Sequence, residues 1–515
     1  ALLTFSNNSI VNCTGNSLDL ITFTVRGNLQ RDFEFSNNFL SNISIRLTEL
    51  DEAKLIKLEF PLNLQGQILI SNLTIMGCDI FYDDNSRKFG LRSTLVYIMN
   101  PNSITKLYNN WMEANSGQGM ASFMIIYSKE VEIDSLDFHS NPPRAILEWE
   151  STILISTISF KLTNSRATHN VGTNGGVFYF ENLLTNSTLM MNLTINNNSF
   201  EENGANYGGV FYFSEKNSFS LSLQADSNKF IHNVGFIRGG VFFLETQMIY
   251  AVEITNSEYR CYDYLIYAGS FLSASGLTKP DYSHHNPSFI IRETQVTIDY
   301  HLLPKASKMS SIIHIWANEF MTSEVNFVVD GLMLHGISHI DRFDSSIHWL
   351  YAEGSTISIK NLNLSHMKMS RHAISVTSKT VLSIHNSIFH NNTFQLGYKD
   401  VCLIKVYTHD SRSDYAEIEI SNTTFSNNVF LDVPEQSSLI CIDAPKFNLS
   451  LLNKTIVRQN RNNAPVLFSK VDNLETKNFA RKIVLSDSIF EDNSGMTLEG
   501  GLIHAEYVEL DILNC

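Results

Sequence analysis

The sequence predicts an all-β parallel β-helix, one continuous solenoid over residues 1–515 with about 16–17 turns of roughly 32 residues each. Three observations carry that reading. A short pattern, apolar-x-apolar-x-Asn-x-x-apolar-x-x-Asn, recurs along the whole chain. A second apolar strand, opened by paired small residues, follows many of its copies. The composition holds 52 Asn and only 17% charged residues, which suits short strands with polar turns better than charged helices.

The first Asn of the pattern is its anchor. It falls at Asn7, Asn37, Asn72, Asn109, Asn164, Asn197, Asn256, Asn361, Asn386, Asn422, Asn453 and Asn514. Asp330 and Asp487 substitute for it, and Ser135, Ser227 and Tyr300 fill three weaker copies. The residues four and two before the anchor are apolar, as in Leu193 and Ile195 or Ile418 and Ile420. Alternation at period two marks a half-buried strand. The anchor shares the parity of the apolar pair, so it is expected to point inward. A lone buried amide is costly, but a column of stacked amides satisfies itself from coil to coil. The expected internal ladder is Asn72, Asn164, Asn197, Asn256, Asn361, Asn386, Asn422 and Asn453. The chain then turns, because Asn tolerates corner conformations, and an apolar residue returns to the core at the third position.

The second strand opens at Gly175-Gly176, Gly208-Gly209, Gly239-Gly240, Ser310-Ser311, Ser345-Ser346, Ser437-Ser438 and Gly500-Gly501. Small residues at a fixed corner let the backbone bend tightly or approach its neighbour. Two strands per long repeat argue against a leucine-rich repeat, which has one strand in 20–29 residues, although Ile359–Ser365 looks like one. Turns in 1–130 and 280–350 are less regular. The strand pattern starts at Leu3 and recurs at Leu510–Asn514 without polar caps. A longer native chain, or ends that stack on another subunit, is therefore expected.

Composition bounds the function. The net charge of −15 argues against nucleic-acid binding, which needs a basic surface. No run of 18 apolar residues exists, so no transmembrane helix is expected in this span. The six cysteines include no CxxC pair, which removes zinc-ribbon and thioredoxin-type sites. Cys402 and Cys441 could meet as a disulfide if successive turns stack.

Phe-x-x-Asn stands at 138–141, 200–203, 230–233, 389–392, 425–428 and 490–493, and alternates with Gly-Gly-apolar-apolar. That pairing resembles the repeats of polymorphic outer membrane proteins, within the right-handed pectin-lyase-like β-helix class. The likeness is best over 150–260 and 380–510 and faint over 1–130 and 280–350. It implies a right-handed solenoid and a surface-exposed or secreted passenger, adhesive or structural.

Enzymes of the same class carry Asp clusters on successive strands, with Arg or Lys for uronate and often Ca²⁺. Asp83-Asp84 lies in a loop-like stretch, and Glu201-Glu202 and Glu491-Asp492 read as solvated corners, so no catalytic residue and no cofactor is assigned. His335-Gly-Ile-Ser-His339 has metal-like spacing on a helix but stands in a turn region, and His284-His285 reads as loop. The fifth position after the anchor is His169, Glu202, His232 and Cys261 in four consecutive turns. Those are zinc-type ligands about 4.8 Å apart from coil to coil, set against the ordinary reading of a polar stripe.

Twelve Asn-x-Ser/Thr sequons are present. Asn12, Asn42, Asn186, Asn192, Asn363, Asn391 and Asn448 are expected outward or in loops and are the candidates for N-linked glycan. Asn7, Asn72, Asn197, Asn422 and Asn453 are expected inward and barred from it. On the Gly-Gly strand, Val177, Tyr179, Val210, Tyr212, Val241 and Phe243 are expected outward. They would form an apolar contact patch for a partner or for a loop of the same chain. These residues together point to a non-enzymatic extracellular or cell-surface structural protein, a filament subunit or adhesin that self-associates end to end or laterally. The alternative is a carbohydrate-active enzyme, a polysaccharide lyase or glycoside hydrolase, of the same fold.

Overall fold

The computed structural model describes residues 3–16, 19–24, 31–47, 54–60, 66–82, 94–117, 123–141, 153–181, 190–214, 220–245, 248–262, 271–277, 288–300, 310–317, 325–338, 347–352, 355–369, 372–377, 380–395, 401–407, 415–431, 437–462, 466–469, 480–495 and 502–515. Asp83-Asp84, Asn186, His284-His285, His339, Ser345-Ser346 and Gly500-Gly501 lie outside them. Every regular element among the described residues is a β-strand. The chain divides into two compact units, Ala1–Ile249 and Tyr250–Cys515, and each is an all-β parallel solenoid.

In the first unit the strand before the anchor stacks in register through successive coils: Phe5, Phe35, Ile70, Leu107, Ile133, Leu162, Ile195 and Ala225 occupy one row. In the second unit the same row reads Ile291, Val329, Ile359, Ile384, Ile420, Leu451, Leu485 and Ile512. The pairing is parallel throughout both rows. Each coil buries its inner residues only against its neighbours, the property that makes a solenoid. Aromatic rows follow the same register. Phe178, Phe211 and Phe242 stack at 5.4 and 5.0 Å, and Phe389 lies 5.0 Å from Phe425.

The corners correct the expectation about the anchor. Every anchor Asn is left-handed, with φ between 47° and 59°, and every one is exposed. Asn is among the few residues that enter this region at low cost, because its short side chain bonds locally. A left-handed residue also resets the alternation. The next residue, not the anchor itself, turns inward. In the coil at 193–203, Leu193, Ile195, Asn198, Phe200 and Asn203 are buried, while Asn197 and Glu202 are exposed. A second left-handed corner falls five residues after the first, at residues such as Asn42, His169, Glu202, His232 and Asn391 (φ 52–56°), and at Gln459 (φ 55°), six after Asn453 in a coil where Lys454 is left-handed too. It resets the alternation again and delivers the sixth position to the core. Two anchors are displaced. The left-handed residue of one coil is Glu293, not Tyr300, and that of the next is Gly331, not Asp330.

The internal amide ladder therefore stands at the sixth position. In the first unit it is Asn115, Asn141, Asn170, Asn203 and Asn233, each no more than 1% exposed. Asn170 shows the rule. Its Nδ2 donates to Phe138 O (3.0 Å) and to Asn203 Oδ1 (2.9 Å), and its backbone N–H donates to the same Oδ1 (3.1 Å). The second unit repeats this through Asn392, Asn428, Asn460 and Asn493. Phe-x-x-Asn is thus a pair of inward residues separated by a corner. At the paired small residues, Gly208 is left-handed (φ 63°). A Cβ on Gly176 would sit 2.1 Å from Gly209 O, so the coils meet backbone to backbone there.

Candidate functional site

The two corner columns are the first surface with chemistry. Exposed anchors bond along the solenoid: Asn72 Nδ2 to Asn37 Oδ1 at 2.8 Å, Asn197 to Asn164 at 2.7 Å and Asn422 to Asn386 at 2.7 Å. The sequon residues Asn7, Asn72, Asn197, Asn422 and Asn453, expected inside, are solvent-facing, so the core does not bar them from glycan. Asn12, Asn42 and Asn391 are exposed corners too, and Asn192 is exposed on a strand. Asn363 and Asn448 are half-buried between strands, each with a buried Oδ1 that no protein donor reaches.

The four zinc-type residues separate. His169, Glu202 and His232 are left-handed corner residues, and His169 Nε2 lies 2.7 Å from a Glu202 oxygen. Cys261 belongs to the strand Glu258–Tyr262 and faces the core, 4% exposed. Its coil runs straight where the others turn, so the shared position does not mean a shared face.

The apolar patch is also corrected. Val177, Tyr179, Val210, Tyr212, Val241 and Phe243 are between 0% and 8% exposed. Tyr179, Tyr212 and Phe243 continue a column with Ile125 and Leu154, forming a second apolar layer with Tyr127. Tyr207 packs onto it, with its ring 5.4 Å from Phe243. Tyr212 hydrogen-bonds Glu245. Burial, then that carboxylate, pushes its phenol well above the usual range. A run such as Val-Phe-Tyr-Phe is apolar on both faces, the mark of a strand covered on both sides.

One constellation was missed in the sequence. Asp137 and His139 project from the same strand face, and the register places Thr168 beside His139 and Trp111 beside Asp137. His139 Nε2 contacts the Asp137 carboxylate, and Nδ1 shares a 2.5 Å hydrogen bond with Thr168 Oγ1. The Trp111 ring lies 5.4 Å from His139 and is 39% exposed, and its Nε1 donates to Glu113 at 3.1 Å. The order carboxylate–imidazole–hydroxyl is that of an activated nucleophile. Thr168 is only 4% exposed, so the hydroxyl end is closed to a polymer, while Trp111 remains open and Glu113 and Asp137 are half-buried. The signal was an Asp-x-His pair facing a Thr one coil later, visible only once coil lengths are known.

Cys402 and Cys441 form a disulfide across a sequence separation of 39, with Cα atoms 6.0 Å apart. Both are buried. Cys13, Cys78 and Cys515 are free thiols. Burial pushes the Cys78 thiol up to about 11, which makes it inert. No helix among the described residues is long and apolar enough to cross a membrane. No known family's sequence pattern matches the chain, and no curated protein matches it.

Proposed function

We propose that the chain is a non-enzymatic extracellular or cell-surface structural protein, a filament subunit or adhesin. In this reading its solenoid is right-handed and of the pectin-lyase-like class, with repeats akin to those of polymorphic outer membrane proteins. One observation carries the reading: the column Asn115, Asn141, Asn170, Asn203 and Asn233, in which buried amides bond from coil to coil. A satisfied polar column rigidifies what it crosses and presents no reactive group. The Cys402–Cys441 bridge supports an oxidising compartment. The exposed corner sequons are positions where N-linked glycan fits without opening the core. Self-association, end to end or lateral, is the mode of partnership this function uses.

The test is recovery of the native protein and mass spectrometry of its peptides. The expected result is protein at the cell surface or outside it, with Cys402–Cys441 closed and glycan on corner residues such as Asn42 and Asn391. Protein found in the cytosol, reduced and unglycosylated, overturns the reading.

Trp111 beside Asp137 and His139 favours the second reading, a carbohydrate-active enzyme, because an open indole stacks on sugar rings and carboxylates bond their hydroxyls. A panel of polysaccharides including polygalacturonate separates the two. The structural reading expects no cleavage, and cleavage abolished by Asp137→Asn would establish the enzyme.

A further inference from the structure

His335 and His390 stand in one outward column of the second unit, two coils apart, with Ser365 between them. Ser365 is too short to fill its place in that column. The next residue, His366, is a left-handed corner (φ 56°), and its ring turns back into the gap. The His366 ring centroid lies 5.0 Å from that of His335 and 5.3 Å from that of His390, with the rings tilted by 65° and 81°. Three imidazoles therefore line up along the stacking direction. His335 and His390 are half-buried, and His366 is exposed. His335 Nδ1 is held by Ser365 Oγ at 3.1 Å, which orients the ring and leaves Nε2 as its second nitrogen. His366 Nε2 lies 3.4 Å from Asn391 Nδ2.

The arrangement differs from the aromatic rows of the core. Phe389 and Phe425 stack nearly parallel, 8° apart, and are buried. The imidazoles are steeply tilted, face outward and carry nitrogen lone pairs at their rims. Two imidazoles sharing one tetrahedral zinc, with Zn–N of about 2.0–2.1 Å, have ring centres about 5 Å apart. That separation occurs on both sides of His366. Among the described residues no three His, Cys, Asp or Glu side chains are gathered to hold one ion. The capacity lies in pairs, with water completing the coordination.

We propose that His366 forms, with His335 on one side and His390 on the other, two adjoining bis-imidazole clefts for a divalent transition-metal cation of the zinc class. Imidazole nitrogen suits Zn²⁺, Cu²⁺ and Ni²⁺, whereas Ca²⁺ and Mg²⁺ require oxygen donors. His366 is the ligand common to both clefts. Metal bound in either cleft would tie together the two coils that carry its ligands.

The test uses the full chain, without a histidine tag, titrated calorimetrically with ZnCl₂ and with MgCl₂. The wild type is expected to bind zinc and not magnesium. His366→Asn keeps a residue suited to the left-handed corner, so the coil is preserved, and it should weaken zinc binding at least tenfold. His335→Gln and His390→Gln should each leave one cleft and show a smaller loss. Cu²⁺ in the wild type should give electron-spin couplings from two imidazole nitrogens. Zinc affinity unchanged in a folded His366→Asn variant overturns the proposal. So does absence of zinc binding in the wild type, or a loss confined to His169→Asn at a histidine-bearing corner of the first unit.

Discussion

An exposed and a buried column of asparagine run along each unit, and they do opposite work with the same side chain. At the first corner, Asn386 and Asn422 are exposed and left-handed, joined by a 2.7 Å amide–amide bond. Six residues after each anchor, Asn392 and Asn428 are buried and joined by a 2.9 Å bond. The bond lengths barely differ, but the surroundings do. Water replaces the exposed bond when it breaks, so its net worth is small. Nothing replaces the buried one, and each buried amide also caps a backbone carbonyl, as Asn428 does for Phe389 O. The corner Asn is there for its backbone, and the buried Asn for its side chain.

The sharpest way to break this comparison is to change both columns alike. Asn428→Leu removes the acceptor of the Asn392 amide and the donor to Asn460, leaving buried polar groups unpaired at about 1–3 kcal/mol each. A total loss of about 3 kcal/mol or more is expected. Because each coil touches only its neighbours, hydrogen exchange should rise around Asn392 and Asn460 and stay unchanged in the first unit. Equal protection in wild type and variant would show that the column is decorative.

Asn386→Leu should cost less, about 1–2 kcal/mol, because it forces a branched side chain into the left-handed region but orphans no buried group. Asn386→Gly should be close to neutral, since Gly reaches φ 51° freely. Urea midpoints of the two variants decide the matter. If Gly costs as much as Leu, the exposed amide bond matters and the backbone account is wrong.

These contrasts also mark what the sequence could show. The period, the strand before each anchor, the apolar third position and the Cys402–Cys441 contact were legible, because all depend only on alternation and stacking. The parity of Asn386 was not. One left-handed residue shifts every later side chain by one position, and composition cannot distinguish an Asn chosen for φ from one chosen for its amide. The same shift misplaced the glycan-barred sequons. Tyr300 and Asp330 failed for a related reason: Glu293 and Gly331 hold the corners there, and neither matches an Asn-based pattern. For the Tyr179–Tyr212–Phe243 column the sequence left open whether a partner or the same chain covers it, and residues of the same chain such as Tyr207 do so. His335, His366 and His390 were not legible as neighbours, because coils of unequal length set their register.

The converse experiment sharpens the comparison by improving a corner. Ala114 and Gln459 are exposed, left-handed residues (φ 52° and 55°) without the local bonding that favours Asn there. Ala114→Asn and Gln459→Asn should each stabilise by about 0.5–1 kcal/mol. The rise in unfolding midpoint is the readout. No change, or a fall, would mean that the second corner is set by tertiary packing and not by residue preference.

The smallest effect concerns charge, because buried amides do not titrate and exposed columns can. Glu132 lies between Lys106 and Lys161, with contacts of 3.3 Å to each. Two residues further along the same strand, the Asp134 carboxylate accepts bonds from Thr163 Oγ1 and Asn164 Nδ2, both at 2.7 Å. Burial works against ionised Glu132, but the two ammonium groups outweigh it and hold the carboxyl below its usual range. For Asp134 the Thr163 hydroxyl contributes most, burial opposes it, and Asn164 and Ser135 add to the lowering. Both folded pKa values thus lie below the unfolded ones, so the folded state binds fewer protons in the interval between them. The stabilisation is complete above the ordinary carboxylate range of about 4 and disappears as pH falls through the lowered folded values. Thermal unfolding of the first unit's coils should be flat from neutrality to about pH 5 and should weaken below about pH 4. Glu132→Gln with Asp134→Asn should reduce that acid sensitivity, and added salt should do the same in the wild type because the half-exposed ion pairs of Glu132 are reached by solvent. If wild type and double variant lose the same stability between neutral and acid pH, the outer polar column carries no linkage, and the acid response belongs to carboxylates elsewhere in the unit.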